Sequence, residues 1–125
     1  MEFITTKKAP AAIGPYSQAV KINNMLYLSG QIPINPETGE LVENDIVVQT
    51  QQVLRNIKAI LDEENLSIEQ VFKTTIFIKD MAHFPVINEE YSNFFKDHKP
   101  ARSTVEVSRL PKDALIEIES IAVLG

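Results

Sequence analysis

The sequence feature that most constrains the fold is a run of alternating apolar and polar residues from Pro100 to Ala122. Two alternating arms flank the turn-rich segment 110–113, which reads Leu-Pro-Lys-Asp. Because successive side chains of a strand point to opposite faces, each arm predicts a β-strand with one apolar face. Two such arms around a short turn are typical of a β-hairpin, so we expect these strands to pair with each other.

The apolar positions also predict how the arms of this hairpin are aligned. Pairing Val105 with Ile118 and Val107 with Ile116 gives one aliphatic face. The opposite face then carries the side chains of Arg102, Thr104, Glu106, Glu117 and Glu119. Antiparallel sheets often have one solvated face, so the alternation alone favours a solvated outer surface over a binding surface.

The remaining residues predict an α+β domain. The other strands are expected at 2–6, 16–22, 25–29 and 71–79, and the helices at about 46–64 and 84–97. A type I′ turn is expected at Asn23-Asn24 and an N-cap of the first helix at Asn44 or Asp45. The second helix should begin with Pro85 in its first turn and bury Phe84 and Tyr91. The resulting order is β-β-β-α-β-α-β-β, a mixed sheet with two helices on one face, in a single domain covering residues 1–125. The β-α-β unit around the second helix allows its two strands to be parallel neighbours. With only two helices, the other face of the sheet stays uncovered.

Composition disfavours several classes of protein. The chain has 125 residues and a net charge of −5, which suit one domain and argue against a diffuse nucleic-acid-binding surface. It contains no cysteine, so disulfides, thiolate catalysis and cysteine-ligated metals are excluded. No secretory signal and no apolar run long enough to span a bilayer is visible, which favours a cytoplasmic location. His83 and His98 do not have the spacing of a metal site.

A set of motifs resembles one protein family, and the motifs occur in the family's order. The C-terminal run PARSTVEVSRLPKDALIEIESIAV resembles the signature of the RidA (YjgF/YER057c/UK114) family of enamine/imine deaminases. The other matching segments are Gly14-Pro15-Tyr16-Ser17-Gln18, Ser29-Gly30-Gln31-Ile32-Pro33, Asn88-Glu89-Glu90-Tyr91 and Phe94-Phe95. Together they cover nearly the whole chain, which makes the set far more specific than any one motif.

The resemblance implies a chorismate-mutase-like fold and a homotrimer with active sites in clefts between subunits. It implies a 2-iminobutanoate/2-iminopropanoate deaminase that converts reactive 2-imino acids, or enamine tautomers such as 2-aminoacrylate, to 2-keto acids and ammonia. Pyridoxal-phosphate dehydratases release such intermediates. No cofactor is expected, because the imine is already electrophilic and only water must be placed. The alternative is a non-catalytic module that uses the same cleft to bind a small carboxylate, or that acts as a chaperone or on RNA.

The resemblance also assigns site residues. Arg102 would bind the substrate carboxylate through its forked guanidinium. Glu117 would orient or activate the hydrolytic water and pass a proton to the leaving nitrogen, and Tyr16 would cover the substrate. The other positions assigned to the pocket are Ser29, Gly30, Asn88 and Thr104. For Asn88, hydrogen bonding between subunits is favoured over direct ligand contact. Without the resemblance, an ion pair of Arg102 with Glu106 or Glu119 is expected at least as strongly as ligand binding. Nothing then selects Glu117 among the three glutamates of the two arms.

Thr104 departs from the family pattern. Many members have cysteine at this position, two residues after the arginine, whereas this chain has threonine. The family's chemistry is assigned to water, with the backbone at this position contacting the substrate. We therefore expect deaminase activity to survive the difference, whereas the family's substrate preference and any oxidation-linked chaperone behaviour do not carry over to this chain with the same support.

Overall fold

The computed structural model describes residues 1–125 and contains eight strands and two α-helices. These elements are β1 (Glu2–Ile4), β2 (Ala19–Ile22), β3 (Met25–Gln31), β4 (Ile34–Asn35), β5 (Glu40–Leu41), α1 (Ile46–Glu63), β6 (Val71–Ile78), α2 (Phe84–Phe95), β7 (Ala101–Glu106) and β8 (Ile116–Val123). Six strands form one mixed sheet in the order β1-β2-β3-β8-β6-β7, and β4 and β5 form a separate ribbon. Apart from this ribbon, the chain order is the predicted β-β-β-α-β-α-β-β.

Both helices pack on one face of the sheet, as predicted. A single apolar core joins Ile57 and Ile60 of α1, Ile87 of α2, and Ile76 and Ile118 of the sheet, all at most 1% exposed. Burial of these side chains is the main driving force that fixes the helices on this face. Neither helix combines the length and the apolar character needed to cross a bilayer. The opposite face, called the open face below, has no helix over it.

The predicted hairpin of β7 and β8 is wrong, because β6 lies between these strands. β6 pairs in parallel with β7 and antiparallel with β8. Val105 therefore lies beside Phe77 and Ile118 beside Ile76, so the predicted pairing of Val105 with Ile118 does not occur. Alternation reports the face to which a side chain points, but it does not report which strand is the neighbour. The predicted parallel pairing within the β-α-β unit is confirmed.

The inserted strand also changes the face on which the polar residues of β7 lie. Val105 is on the open face and is 42% exposed, whereas Arg102 and Thr104 point toward the helices. Glu117 precedes the fully buried Ile118 in β8 and therefore points to the open face. The prediction that Arg102 and Glu117 share one surface of the chain is wrong.

Several local predictions are confirmed by the backbone. The two-residue turn between β2 and β3 lies where it was predicted, with a positive φ of 55° at Asn23. Its predicted type I′ conformation is wrong, because that turn needs a positive φ at both residues and Asn24 has none. Asp45 caps α1 by accepting a hydrogen bond of 3.0 Å from the backbone N–H of Val48. Pro85 lies in the first turn of α2, where its missing N–H has no cost. β2 begins at Ala19, later than the predicted residue 16.

Replacement of Lys96 by glycine should stabilise the protein. Lys96 ends α2 with φ 58° and ψ −121°, a conformation that glycine adopts readily and that a β-carbon disfavours. We expect Lys96→Gly to raise the free energy of unfolding by about 1 kcal/mol in chemical denaturation. Lys99→Gly is the matched control: Lys99 is also exposed but has no positive φ, so its replacement should give no gain. A lower denaturation midpoint for Lys96→Gly would contradict the argument.

Candidate active site

The predicted site residues form two groups on opposite faces of the sheet. The first, called the arginine group, contains Asn88, Arg102 and Thr104 and lies on the helix-covered face. The second, called the glutamate group, contains Tyr16, Ser29, Gly30 and Glu117 and lies at the open face. One chain therefore brings together members of each group, but it does not bring the two groups into one pocket.

The Arg102 guanidinium is held by aromatic rings rather than by carboxylates. Its Cζ lies 4.9 Å from the ring centroid of Tyr91 and 5.4 Å from that of Phe84, both on α2. None of the chain's ion pairs includes Arg102. Glu106, a predicted alternative partner, instead accepts a hydrogen bond from the backbone N–H of Met81 at 2.7 Å. The guanidinium fork thus keeps its capacity to bind an anion.

Asn88 and Arg102 of the arginine group, but not Thr104, line a positively charged cleft of about 480 Å³ between α2 and the start of β7. Its lining residues are Asn88, Tyr91, Ser92, Phe95, Lys96, His98, Lys99, Pro100 and Arg102. The lining has no aspartate or glutamate, so the cleft favours an anionic ligand although the chain as a whole is acidic. Thr104, on the same strand face as Arg102, has a buried Oγ1 without a hydrogen-bond partner.

In the glutamate group, Glu117 is half-buried and lies directly against the backbone of Gly30. Burial, with a smaller contribution from the negative charge of Glu119, raises the pKa of Glu117 above its ordinary value. A β-carbon placed on Gly30 would lie 1.9 Å from Oε2 of Glu117. The missing side chain at position 30 therefore provides the space that the carboxylate occupies, and the raised pKa suits this carboxylate to proton transfer.

The loop that carries Tyr16 is anchored beside this carboxylate. The Ser29 hydroxyl donates a hydrogen bond of 2.6 Å to the backbone carbonyl of Ser17. The buried Gln18 amide donates to the carbonyls of Thr6 and Pro10 at 3.0 and 2.8 Å. Tyr16, which is 55% exposed, is thereby held where it lines a small pocket together with Gly30. Ser29 thus has a positioning role in this chain, and its hydroxyl is engaged with the loop.

Replacing Gly30 with alanine should separate stability from activity. The three atoms nearest to the added methyl group all belong to the flexible side chain of Glu117, which can move away at small cost to the fold. We expect Gly30→Ala to keep its unfolding midpoint and to lose roughly 100-fold in the deaminase turnover that the resemblance implies, because the carboxylate suited to proton transfer is displaced. Gly39→Ala is the control, since that glycine has a positive φ and open space around it. It should lose stability and keep activity. Full turnover in Gly30→Ala would contradict this assignment.

Two contributions to the site were missed in the sequence. Gln18 lies in a matched motif, but no role had been assigned to it; a glutamine beside a proline-rich loop is a signal for satisfying backbone groups. Tyr91 and Phe84 were predicted only as buried helix residues. Their spacing of seven places both rings on one face of α2. That Arg102 lies beneath these rings depends on the position of β7, which the pattern did not reveal.

Comparison with known proteins gives a consistent assignment. The family described as Endoribonuclease L-PSP matches residues 6–124. A RutC family protein of Pyrococcus abyssi is 57% identical over 121 residues, which cover 97% of this chain and 95% of that protein. The 2-iminobutanoate/2-iminopropanoate deaminase of Escherichia coli K12 is 53% identical over 123 residues, covering 96% and 95% of the two chains.

A solved structure shows the same fold. The structure of E. coli TdcF with bound serine matches with a TM-score of 0.94 and 47% identity, covering 98% of each chain. The family match and these relatives extend over nearly all of the sequence, well beyond the motifs that first pointed to RidA. The chain therefore belongs to the Endoribonuclease L-PSP family, and its resemblance to the RidA (YjgF/YER057c/UK114) proteins is confirmed.

Proposed function

We propose that this protein is a 2-iminobutanoate/2-iminopropanoate deaminase that hydrolyses short 2-imino acids and their enamine tautomers to 2-keto acids and ammonia. The observation that carries the proposal is the complementary pair of groups: an arginine without an ion-pair partner at a positive cleft, and a half-buried glutamate with a raised pKa. The E. coli relative of that name supports the reaction. The serine bound to TdcF supports a ligand of this size that carries a carboxylate.

The proposed mechanism divides binding from chemistry. Arg102 holds the substrate carboxylate through two parallel hydrogen bonds, which fixes the position of the adjacent imine carbon. Glu117 accepts a proton from water as the water oxygen bonds to that carbon, giving a tetrahedral carbinolamine. Glu117 then gives this proton to the nitrogen and takes the hydroxyl proton as the C–N bond breaks and the C=O bond forms. The 2-keto acid and ammonia leave, and the proton departs with the ammonia as ammonium, which restores the carboxylate. Tyr16 closes over the substrate, and no cofactor takes part because the iminium carbon is already electrophilic.

We place the complete site between subunits of a homotrimer. Within one chain, Arg102 and Glu117 point to opposite faces of the sheet, so a small substrate cannot contact both. A second copy whose open face meets the Arg102 cleft of the first would supply the missing carboxylate. Tyr27 and Val105 support such packing, because they leave apolar surface exposed on the uncovered face. In this arrangement Asn88 lies at the border of the two copies.

Mixing two inactive variants tests the shared site. Arg102→Ala and Glu117→Ala should each lose activity, whereas subunits refolded together from equal amounts should regain it in about one site in four, as random cyclic assembly requires. Light scattering would verify that each variant and the mixture are trimers. A site contained in one chain predicts no regained activity, so trimeric mixtures that remain inactive would contradict the proposal.

A non-catalytic carboxylate-binding module is the second candidate. The Arg102 cleft alone would serve that purpose, but a sensor has no use for a glutamate poised for proton transfer. The assay that separates these functions generates 2-iminobutanoate from threonine with a dehydratase and follows release of 2-oxobutanoate. The enzyme should accelerate the release in proportion to its concentration. A release rate unchanged by the wild-type protein would favour the module.

A further inference from the structure

Arg102 is supported by a pair of rings that the proposed mechanism does not use. Tyr91 is 8% exposed and Phe84 is partly buried, so both rings have defined positions on α2. The Tyr91 ring packs against that of Phe95 with centroids 4.7 Å apart. Its hydroxyl forms a hydrogen bond of 2.7 Å with Oγ1 of Thr74, which is 1% exposed. The ring under the guanidinium is therefore fixed at both its edge and its hydroxyl end.

The sheet register connects this anchoring point to the arginine itself. Thr74 of β6 is the direct Cα partner of Arg102 in β7. Tyr91 thus spans from the hydroxyl of one paired residue to the guanidinium of the other. Any shift of α2 that moves the ring also strains the buried hydrogen bond, so the strand pair and the helix together fix the relative position of ring and arginine.

Aromatic support has an advantage over an ion pair at a ligand-binding arginine. β7 is the edge strand of the sheet, and a free arginine there would lose much rotamer entropy when it binds a carboxylate. A protein carboxylate would fix the side chain but would also occupy its N–H donors and cancel its charge. A ring face attracts the cation through its quadrupole and leaves the in-plane N–H groups directed outward.

We propose that Tyr91, assisted by Phe84 and locked by Thr74, is a positioning residue that holds the Arg102 guanidinium in its carboxylate-binding orientation. The inference rests on the proposed function only for the identity of the carboxylate. Preorganisation lowers the entropy lost on binding and acts equally on the ground state and the transition state. Loss of the contact between Arg102 and the Tyr91 ring therefore raises KM and leaves kcat nearly unchanged.

Binding of 2-oxobutanoate, the reaction product, measures the effect without requiring turnover. Tyr91→Leu should weaken binding by about fivefold, the upper range of a cation–π contact at an exposed site such as Arg102. Tyr91→Phe keeps the ring and should lose only about two- to threefold, which makes it the conservative rescue. Phe94→Leu is the matched control, because Phe94 lies on the same helix and packs against Phe95 but has no contact with Arg102. It should bind like the wild type.

A second readout follows the arginine directly. In ¹⁵N relaxation of the side-chain Nε–H group, Arg102 should be ordered in the wild type and in Tyr91→Phe, and mobile in Tyr91→Leu. Equal 2-oxobutanoate affinity and equal order in wild type and Tyr91→Leu would overturn the proposal. If Tyr91→Leu does not fold, Phe84→Leu is used instead. Its affinity for 2-oxobutanoate should be about threefold lower than that of the wild type. Wild-type affinity in Phe84→Leu would contradict the proposal. If the wild-type protein neither binds 2-oxobutanoate nor accelerates its release, the proposed function is overturned. The relaxation experiment would still show whether Tyr91 holds the Arg102 guanidinium in position.

Discussion

Replacement of Arg102 by lysine is expected to lower kcat/KM for 2-iminobutanoate by roughly 100-fold, although the positive charge is retained. A lysine ammonium cannot make two parallel hydrogen bonds to a carboxylate, and it cannot lie flat on the rings of Tyr91 and Phe84. Arg102→Ala should lose still more, roughly 1000-fold, because the charge is lost as well. The dehydratase-coupled release of 2-oxobutanoate measures both variants, after subtraction of spontaneous imine hydrolysis.

Arg109→Lys is the matched control for this experiment. Arg109 is exposed and pairs with Asp113 at 2.7 Å, four residues along the chain. An exposed pair of this kind contributes little, so the control should keep wild-type kinetics and a wild-type unfolding midpoint. Arg102→Lys with the activity of the wild type would show that the fork geometry is unimportant, and with it the proposed mode of carboxylate binding would be lost.

Glu117→Gln should lose roughly 100- to 1000-fold in kcat, the usual contribution of a general acid–base group. Glutamine keeps the shape of the side chain against Gly30 but cannot accept the proton of the attacking water. In the proposed mechanism the ionised form of Glu117 is the base, so kcat should rise with pH through a pKa above the ordinary 4.5. Glu119→Gln removes a charge that contributes to this shift, so it should remain active and move the rise in kcat toward lower pH.

Glu117→Gln should be more stable than the wild type at neutral pH. Because the folded state raises the pKa of Glu117, the folded chain binds more protons than the unfolded chain between the ordinary and the raised value. The contribution of Glu117 to stability is therefore largest below 4.5 and falls as the pH rises through this window. Thermal unfolding should show Glu117→Gln above the wild type at neutral pH and equal to it in acid. A lower Tm at neutral pH would contradict the raised pKa.

The sequence predicted the local features of the fold better than it predicted which strands pair. The position of the Asn23-Asn24 turn and the N-cap of α1, predicted at Asn44 or Asp45, depend on a few neighbouring residues, and the pattern located both. The buried positions of Ile116 and Ile118 also followed from alternation. Alternation did not predict the neighbour of β7, because strands that are distant in sequence compete to pair with it. β6 lies between β7 and β8 and pairs with both of these strands.

The same limit applied to the site. The motifs identified Arg102 and Glu117, but the face of each side chain depends on its strand and register. Once β6 separates β7 from β8, Arg102 shares a face with Thr74 and Glu117 shares one with Phe77. Tyr91 could be predicted as a core residue by helical spacing, whereas its contact with a guanidinium needs the three-dimensional arrangement. The sequence thus identified the chemical groups, and the sheet topology determined how they combine.

The placement of the two groups on opposite sides of the sheet has a consequence for a newly synthesised copy. If the site is shared between subunits as proposed, such a copy carries two halves of different reaction centres and no whole one, and is catalytically silent when alone. Assembly with sister copies would then complete the centres, and turnover per polypeptide should grow as the protein accumulates and level off once assembly is complete. The amount of the protein, and not only its chemistry, would in that case set how quickly imines are cleared.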